Sequence, residues 1–316
     1  MPGPNEKAFE MFENRLVRMF RHTGKWARRQ KISCYRVYDR DIPYFPLCVE
    51  IYENRVLISE YAKNHGKSEE EHQTWLRAVT DRVRKVIGVP RENVFFKERK
   101  RQKGIDQYEK LDSSGSEFVV TESGLKFLVN LSDYLDSGLF LDHRITRGMV
   151  RDESAGRRVL NLFAYTGSFS VYAASGRALS TVTLDLSNSY LDRARRNMEL
   201  NGFTGEKHEF VRADAFDFLG GRSPAKYDLI VLDPPTFSTS KKMTDTLDVQ
   251  RDHVRLLEGA LYKLTSGGIL YFSTNLRTFK MDTASIHCAE LRDITKQTIP
   301  KDFRDEKIHH CFRLVR

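Results

Sequence analysis

The sequence predicts a Rossmann-like α/β domain, with a mostly parallel sheet and an antiparallel C-terminal hairpin, preceded by a small α+β domain. Three observations carry this expectation. From about residue 157 short apolar runs alternate with helical stretches, the grammar of βαβ units that lay strands in parallel. Upstream the order is instead helix, hairpin, helix, strand and hairpin. At 316 residues, 40% of them hydrophobic, with 20 Phe and 13 Tyr, the chain has enough apolar material for two cores. The domains are expected at 1–132 and 133–316.

Residues 8–30 read as a helix, because Phe9, Phe12, Leu16 and Phe20 recur at three- and four-residue spacing. "YRVYD" and "PLCVEIYENRVLISEY" read as strands, the second folding back near Glu53-Asn54. A helix follows from Ser68, which with Glu71 makes a capping box; Trp75, Val79, Val83 and Val86 form its stripe, and Gly88 and Pro90 end it. "NVFFKERKRQKG" gives a strand and a basic loop, and "EFVVTESGLKFLVNL" a hairpin turning at Glu122-Ser123-Gly124. In the second half the strands are "RRVLNLF", "STVTLDLS", "HEFVRAD", "YDLIVLD" and "GGILYFSTN". "LRDITKQTI" and "KIHHCFRLV" close the sheet as two strands with no helix between them. His309, His310 and Cys311 sit in that alternating pattern, where neighbours face opposite ways, and are read as structural rather than as metal ligands.

The charge balance narrows the partners. Fifty-two Lys and Arg against 43 Asp and Glu give +9, with a sequence pI near 9.3, which favours a polyanion through counterion release. Charge alone does not separate RNA from DNA or an acidic membrane. No run approaches the roughly 20 apolar residues of a membrane helix, so no membrane role is expected. Cys34, Cys48, Cys288 and Cys311 are scattered without a CxxC pair, and the N-terminus lacks an apolar signal; both fit reduced thiols in a cytoplasmic protein. Two blocks concentrate the cations: Arg18, Arg21, Lys25, Arg28 and Arg29, interleaved with Phe20 and Trp26, then Arg99, Lys100, Arg101 and Lys103. A solvated face is the plain reading of such runs, and phosphate contact the one favoured by the net excess.

Ligands of open α/β sheets collect beyond the carboxyl ends of the strands, so each strand exit is a test. The first, "NLFAYTGSFS", is a small-residue turn into a helix; it lacks GxGxxG spacing, which disfavours a dinucleotide. The second ends on Asp185, suited to accept from ribose hydroxyls, and the third on Asp214, suited to an adenine amino group. Each carboxylate taken alone reads more readily as a helix cap. Together they indicate a nucleoside-bearing cofactor without a phosphate chain. The fourth exit, "DPPTF", ends on Asp233, Pro234 and Pro235, a stiff acceptor-rich tip for the N–H edge of a base, with Phe237 placed to stack on its face.

The stretches "DPPTFSTSKKMTDTLDVQRDH", "NLFAYTGSFS", "YLDSGLFLDHR" and "KWARRQKISCYRVYDRDIPYF" resemble the guanine-N7 methyltransferase half of the bifunctional 23S ribosomal RNA methyltransferases, a likeness extending from Asn14 to Cys311. The resemblance implies a class I S-adenosylmethionine-dependent fold behind a small α+β RNA-binding domain. It implies S-adenosylmethionine contacts at Asn161, Phe163, Ala164, Thr166 and Gly167, at Asp185, Leu186 and Ser187, and at Asp214 with Ala215. Phe140, Asp142 and Arg144 of "FLDHR" would close over the methionine end of the cofactor. The target base would sit at Asp233 to Phe237. The bifunctional relatives carry a second methyltransferase half and a further RNA-binding domain. This sequence, opening "MPGPNEKAFE", has neither, and is expected to act alone or with a separate protein that supplies those parts.

Relatives of the same layout methylate cytosine C5, which needs a thiolate to add at C6. The base tip here offers Thr236, Thr274 and Asn275, and the nearest following cysteine is Cys288, 13 residues beyond Asn275. Guanine N7 carries an in-plane lone pair and needs only positioning against the methyl donor, without a strong general base. An exocyclic amine, guanine N2 or adenine N6, and a catalytically silent RNA-binding or assembly factor are the remaining alternatives.

Overall fold

The computed structural model describes residues 6–61, 68–99, 117–132, 136–221, 226–238 and 246–316. The chain forms two compact units: Met1–Gly124 with Val129–Ser137, and Leu125–Leu128 with Gly138–Arg316.

The first unit opens with helix α1 (Glu6–Gln30), whose buried face is Ala8, Phe9, Phe12, Leu16, Thr23, Gly24 and Ala27. Phe20, expected in that stripe, is only half-buried; the small residues Thr23, Gly24 and Ala27 continue the packed face instead. Strands β1 (Cys34–Asp39), β2 (Leu47–Tyr52) and β3 (Arg55–Tyr61) form an antiparallel meander. Helix α2 (Glu69–Ile87) crosses over to β4 (Val94–Arg99), which pairs parallel with β3. The capping box is present in full, Ser68 accepting from the N–H of Glu71 and Glu71 accepting from the N–H of Ser68, and Gly88 ends the helix in the left-handed conformation at φ 80°. The core is aromatic: Phe12 stacks on Phe45 at 4.5 Å, and Phe45 on Trp75 at 5.9 Å.

Strands β5 (Glu117–Glu122) and β6 (Leu125–Asn130) follow, and the division between the units falls inside β6. The part of β6 that belongs to the second unit is anchored there: the N–H of Leu128 donates to Asn197 Oδ1 at 2.8 Å, and Phe127, fully buried, stacks on Tyr172 at 6.0 Å.

The second unit continues with α3 (Arg144–Asp152), β7 (Arg158–Leu162), α4 (Ser168–Ser175), β8 (Ser180–Asp185), α5 (Asn188–Leu200), β9 (His208–Arg212), α6 (Ala215–Gly220) and β10 (Tyr227–Leu232). A two-strand ribbon of β11 (Phe237–Ser238) and β12 (Leu247–Asp248), then α7 (Val249–Lys263) and β13 (Leu264–Thr274), lead to the C-terminal elements. The sheet order is β14-β15-β13-β10-β7-β8-β9, with β7, β8, β9, β10 and β13 parallel and β15 antiparallel to β13. Leu160, Leu162, Leu232, Leu256, Leu270 and Phe272 fill one core, and Val159, Phe169, Leu229, Val231 and Tyr271 another.

The C-terminal hairpin differs from expectation. Strand β14 is short (Glu290–Asp293) and pairs antiparallel with β15 (His310–Val315), but one helical turn, α8 (Thr295–Thr298), lies between them. Asp293 Oδ1 accepts from the N–H of Thr295 at 2.9 Å, so the residue read as mid-strand starts the turn. Among the described residues no helix is long and apolar enough to cross a membrane.

Candidate active site

The chain leaves β7 toward β8 on one side of the sheet, whereas β10 and β13 lie on the other. The exits of β7 and β10 therefore flank the point where strand order reverses, the usual crevice of such sheets. In register, Leu162 of β7 pairs with Leu184 of β8 and Leu232 of β10, so the residues that follow leave the sheet at one edge.

The turn after β7 is unusually constrained. Phe163, Tyr165 and Gly167 all take positive φ, at 53°, 52° and 73°. Gly167 is required twice over: a Cβ there would meet Ala194 Cβ at 2.7 Å and Ala194 Cα at 3.2 Å. The N–H of Ala164 donates to the carbonyl of Leu184, Thr166 Oγ1 donates to the carbonyl of Gly138, and Asn197 Nδ2 donates to the carbonyl of Thr166. Asn161 is buried and its Nδ2 donates to Ser170 Oγ at 3.0 Å, so this side chain braces the start of α4.

Asp185, the last residue of β8, is what strains that turn into place. Its Oδ2 accepts from the N–H of Tyr165 and its Oδ1 from the N–H of Ser187, both at 2.9 Å. Burial pushes its carboxyl up to about 6, against these hydrogen bonds, which pull the other way. Ser187, rather than Asp185, caps α5, and Leu186 is half-buried between them. Asp214 caps α6: its Oδ1 accepts from the N–H of Phe216 at 2.7 Å, and Ala215 behind it is buried. Its second oxygen has no partner among the described residues.

At the exit of β10, Asp233 Oδ1 accepts from Ser273 Oγ at 2.6 Å, and Thr236 Oγ1 donates to Asn275 Oδ1, joining the exits of β10 and β13. Pro234 is buried, Pro235 half-buried, and Phe237, paired with Asp248 in the β11–β12 ribbon, is 46% exposed. The other oxygen of Asp233 faces a buried group that sequence reasoning missed. His143 Nε2 lies 3.6 Å from Asp233 Oδ2 and 3.6 Å from Asp142 Oδ2. Burial holds the imidazole below its ordinary pKa, opposed by the two carboxylates. His309, read as structural, stacks on His143 at 4.8 Å and meets Asp142 Oδ2 through Nδ1 at 2.9 Å. His309 is fully buried and reaches this cluster because β15 lies beside β13. Ligand atoms of Asp142, His143 and His309 come within 4.8 Å of one another.

The remaining "FLDHR" residues separate. Phe140 is exposed and tilted against Tyr165 at 5.2 Å, while Arg144 is buried in an ion pair with Asp302 at 3.0 Å. Across β13, Cys311 pairs with Ser273, so the sheet brings this cysteine behind Asp233 where the linear order suggested Cys288. Burial pushes its thiol up to about 12. In the first unit Arg18, Arg21, Lys25, Arg28 and Arg29 are all exposed on α1, on the side away from its buried face. Lys100, Arg101 and Lys103, and the side chain of Arg99, lie outside the described residues.

Comparisons with known proteins show the family. A family model described as S-adenosylmethionine-dependent methyltransferase matches residues 91–298. The chain is 51% identical over 308 residues to ribosomal RNA large subunit methyltransferase K of Neisseria meningitidis, covering 96% of this chain and 86% of that protein. It is 48% identical over 315 residues to ribosomal RNA large subunit methyltransferase K/L of Syntrophotalea carbinolica, covering 99% of this chain but only 44% of that protein. The crystal structure of SMU.776 complexed with SAH shares the fold at a TM-score of 0.74 and 24% identity, over 96% of this chain and 82% of that one.

Proposed function

Because the chain belongs to the S-adenosylmethionine-dependent methyltransferase family and has its class I fold, we propose that it methylates guanine N7 in 23S ribosomal RNA. The observation that carries this reading is the tip of β10. There Asp233 is held between Ser273 and His143, beside an exposed Phe237, and the thiol nearest to it is buried and protonated. An ionised carboxylate accepts from the N–H edge of guanine, and Phe237 offers a face for stacking. A thiol pushed up to about 12 supplies no thiolate at neutral pH, which speaks against covalent addition to cytosine C6. The names of the relatives support a ribosomal RNA substrate and, with it, a cytoplasmic location.

The residues beside β7, β8 and β9 suit the cofactor. Asp185 presents a desolvated acceptor for hydroxyl donors, Asp214 has an acceptor oxygen left after capping, and the turn from Phe163 to Gly167 is fixed by Asp185 itself. When bound, S-adenosylmethionine supplies an electrophilic methyl on a sulfonium. The chain's own work is then positional: Asp233 and Phe237 hold the base so that N7 points at the methyl, and no proton is removed. Asp233 also balances the positive charge that methylation leaves on the base. The exposed cations of α1 are proposed to meet phosphates, together with Arg99, Lys100, Arg101 and Lys103.

The test is transfer of labelled methyl to ribosomal RNA from cells lacking the protein, with the product located by mass spectrometry of digested RNA. N7-methylguanine is expected; label on guanine N2, adenine N6 or cytosine C5 overturns the assignment.

A further inference from the structure

His143 has no task in the reaction as described, yet it is 6% exposed and faces two carboxylates. Resting on the methyl-transfer reading, we propose that His143 is a positioning residue for Asp233. In this account its Nε2–H is shared between Asp233 Oδ2 and Asp142 Oδ2, both at 3.6 Å, while Ser273 holds Asp233 Oδ1 and His309 stacks on the face of the imidazole.

The geometry supports this assignment from several sides. Both carboxylate oxygens near the ring approach Nε2, and Nδ1 has no partner among the described residues, so a neutral imidazole keeps its proton on Nε2. The ring cannot swing away. It is sandwiched face to face with His309 (4.8 Å, 11° between planes) and edge-on to Phe169 at 5.8 Å. His309 is itself pinned at both nitrogens, by Asp142 at 2.9 Å and by Thr298 Oγ1 at 2.9 Å. At 3.6 Å the approach of His143 to Asp233 is longer than a hydrogen bond, as catalytic contacts often are before substrate binds and draws them in.

A metal site is the competing use of Asp142, His143 and His309. Near-parallel stacked rings keep their in-plane lone pairs in separate, nearly parallel planes, and these do not meet at one ion as tetrahedral ligation requires. Ser273 and His143 approach different oxygens of Asp233. A guanine edge then meets a carboxylate of set plane and orientation, which is where small misplacements lose rate.

The experiment compares His143→Gln and His143→Phe in the full chain. Gln returns an N–H where Nε2 stood, whereas Phe keeps the ring and its stack on His309. The Phe variant should lose about tenfold or more in kcat, with KM for RNA and calorimetric Kd for S-adenosylhomocysteine within about twofold, and Gln should recover most of the loss. Unchanged kcat in the Phe variant, or an equal loss in Gln and Phe, overturns the proposal. A second readout does not depend on turnover, and its first arm uses the wild-type protein alone. In protein with ¹⁵N-labelled histidine, His143 should be neutral and protonated on Nε2 at neutral pH, and its Nε2 resonance should move in Asp233→Asn. Protonation on Nδ1, indifference to Asp233→Asn, or a shift on stoichiometric zinc uptake each sinks the assignment. Wild-type protein that places no methyl on guanine N7 would defeat the proposed function while leaving the His143 resonance test intact, so the two failures are distinguishable.

Discussion

Lowering the pH from about 8 to about 5 should weaken S-adenosylhomocysteine binding roughly tenfold through Asp185. Burial sets its folded carboxyl at about 6 in place of an ordinary 3.8. Ribose hydroxyls are donors and need the ionised form, of which about 99% is present at pH 8 and about 9% at pH 5, hence the tenfold loss. The same shift acts on stability with the opposite preference. The folded carboxyl binds its proton more tightly than the unfolded one, so Asp185 stabilises the fold below pH 3.8, and that contribution is lost as pH rises through about 6. The shift of about two units bounds the loss at about 3 kcal/mol. Calorimetric titration at constant ionic strength between pH 5 and 8 measures the first effect. The difference in melting temperature between wild type and Asp185→Ala over the same range measures the second. Affinity that stays flat across the window, or an Asp185→Ala variant that keeps the wild-type profile, would refute the assignment of Asp185 to the ribose.

Further outcomes follow from other positions. Gly167→Ala combines a left-handed φ of 73° with a 2.7 Å overlap on Ala194 Cβ; about 2–4 kcal/mol of destabilisation is expected in denaturant unfolding. Gly202→Ala, at φ 74° with nothing within 4 Å, should lose only about 1 kcal/mol, and equal losses would deny the close approach. Ser68→Ala removes the side-chain half of the α2 capping box and should cost about 1 kcal/mol by the same measurement. Phe237→Ala, being exposed, should leave the melting temperature unchanged while lowering kcat/KM for RNA about tenfold or more, given that stacking is worth about 1–3 kcal/mol. Reversing Arg18, Arg21 and Arg28 together should flatten the salt dependence of RNA binding by about 0.7–0.9 in log–log slope for each phosphate that is no longer neutralised.

Local chemistry in this chain is legible where neighbours in sequence are neighbours in space. The capping box at Ser68 and Glu71, the turn at Glu122-Ser123-Gly124 and the order of the parallel strands all follow from spacing that a single element enforces. Phe20 does pack against the α1 core, but only half-buried, and the face is continued by Thr23, Gly24 and Ala27, which no apolar spacing marks. The order of strand exits also puts Asp185, Asp214 and Asp233 on one sheet edge. Each carboxylate alone favours the cap over the ligand, and Asp214 does cap α6 as well as standing at that edge. The His143 cluster is beyond reach for a different reason. Asp142 and His309 are separated by 167 residues and meet only because β15 inserts antiparallel next to β13, a pairing no periodicity encodes. The Arg144 pair with Asp302, 158 residues away, is hidden in the same way.

The passage of β6 from one compact unit to the other has a practical bearing on dissection. A gene split after residue 132 would hand the catalytic half a protein without Leu125–Leu128, and so without the ring that lies on Tyr172 and the amide that satisfies Asn197. Asn197 in turn tethers the carbonyl of Thr166. Pruning at the apparent border therefore unfastens the turn after β7 from a distance, and a fragment that keeps the second unit whole has to begin ahead of Leu125.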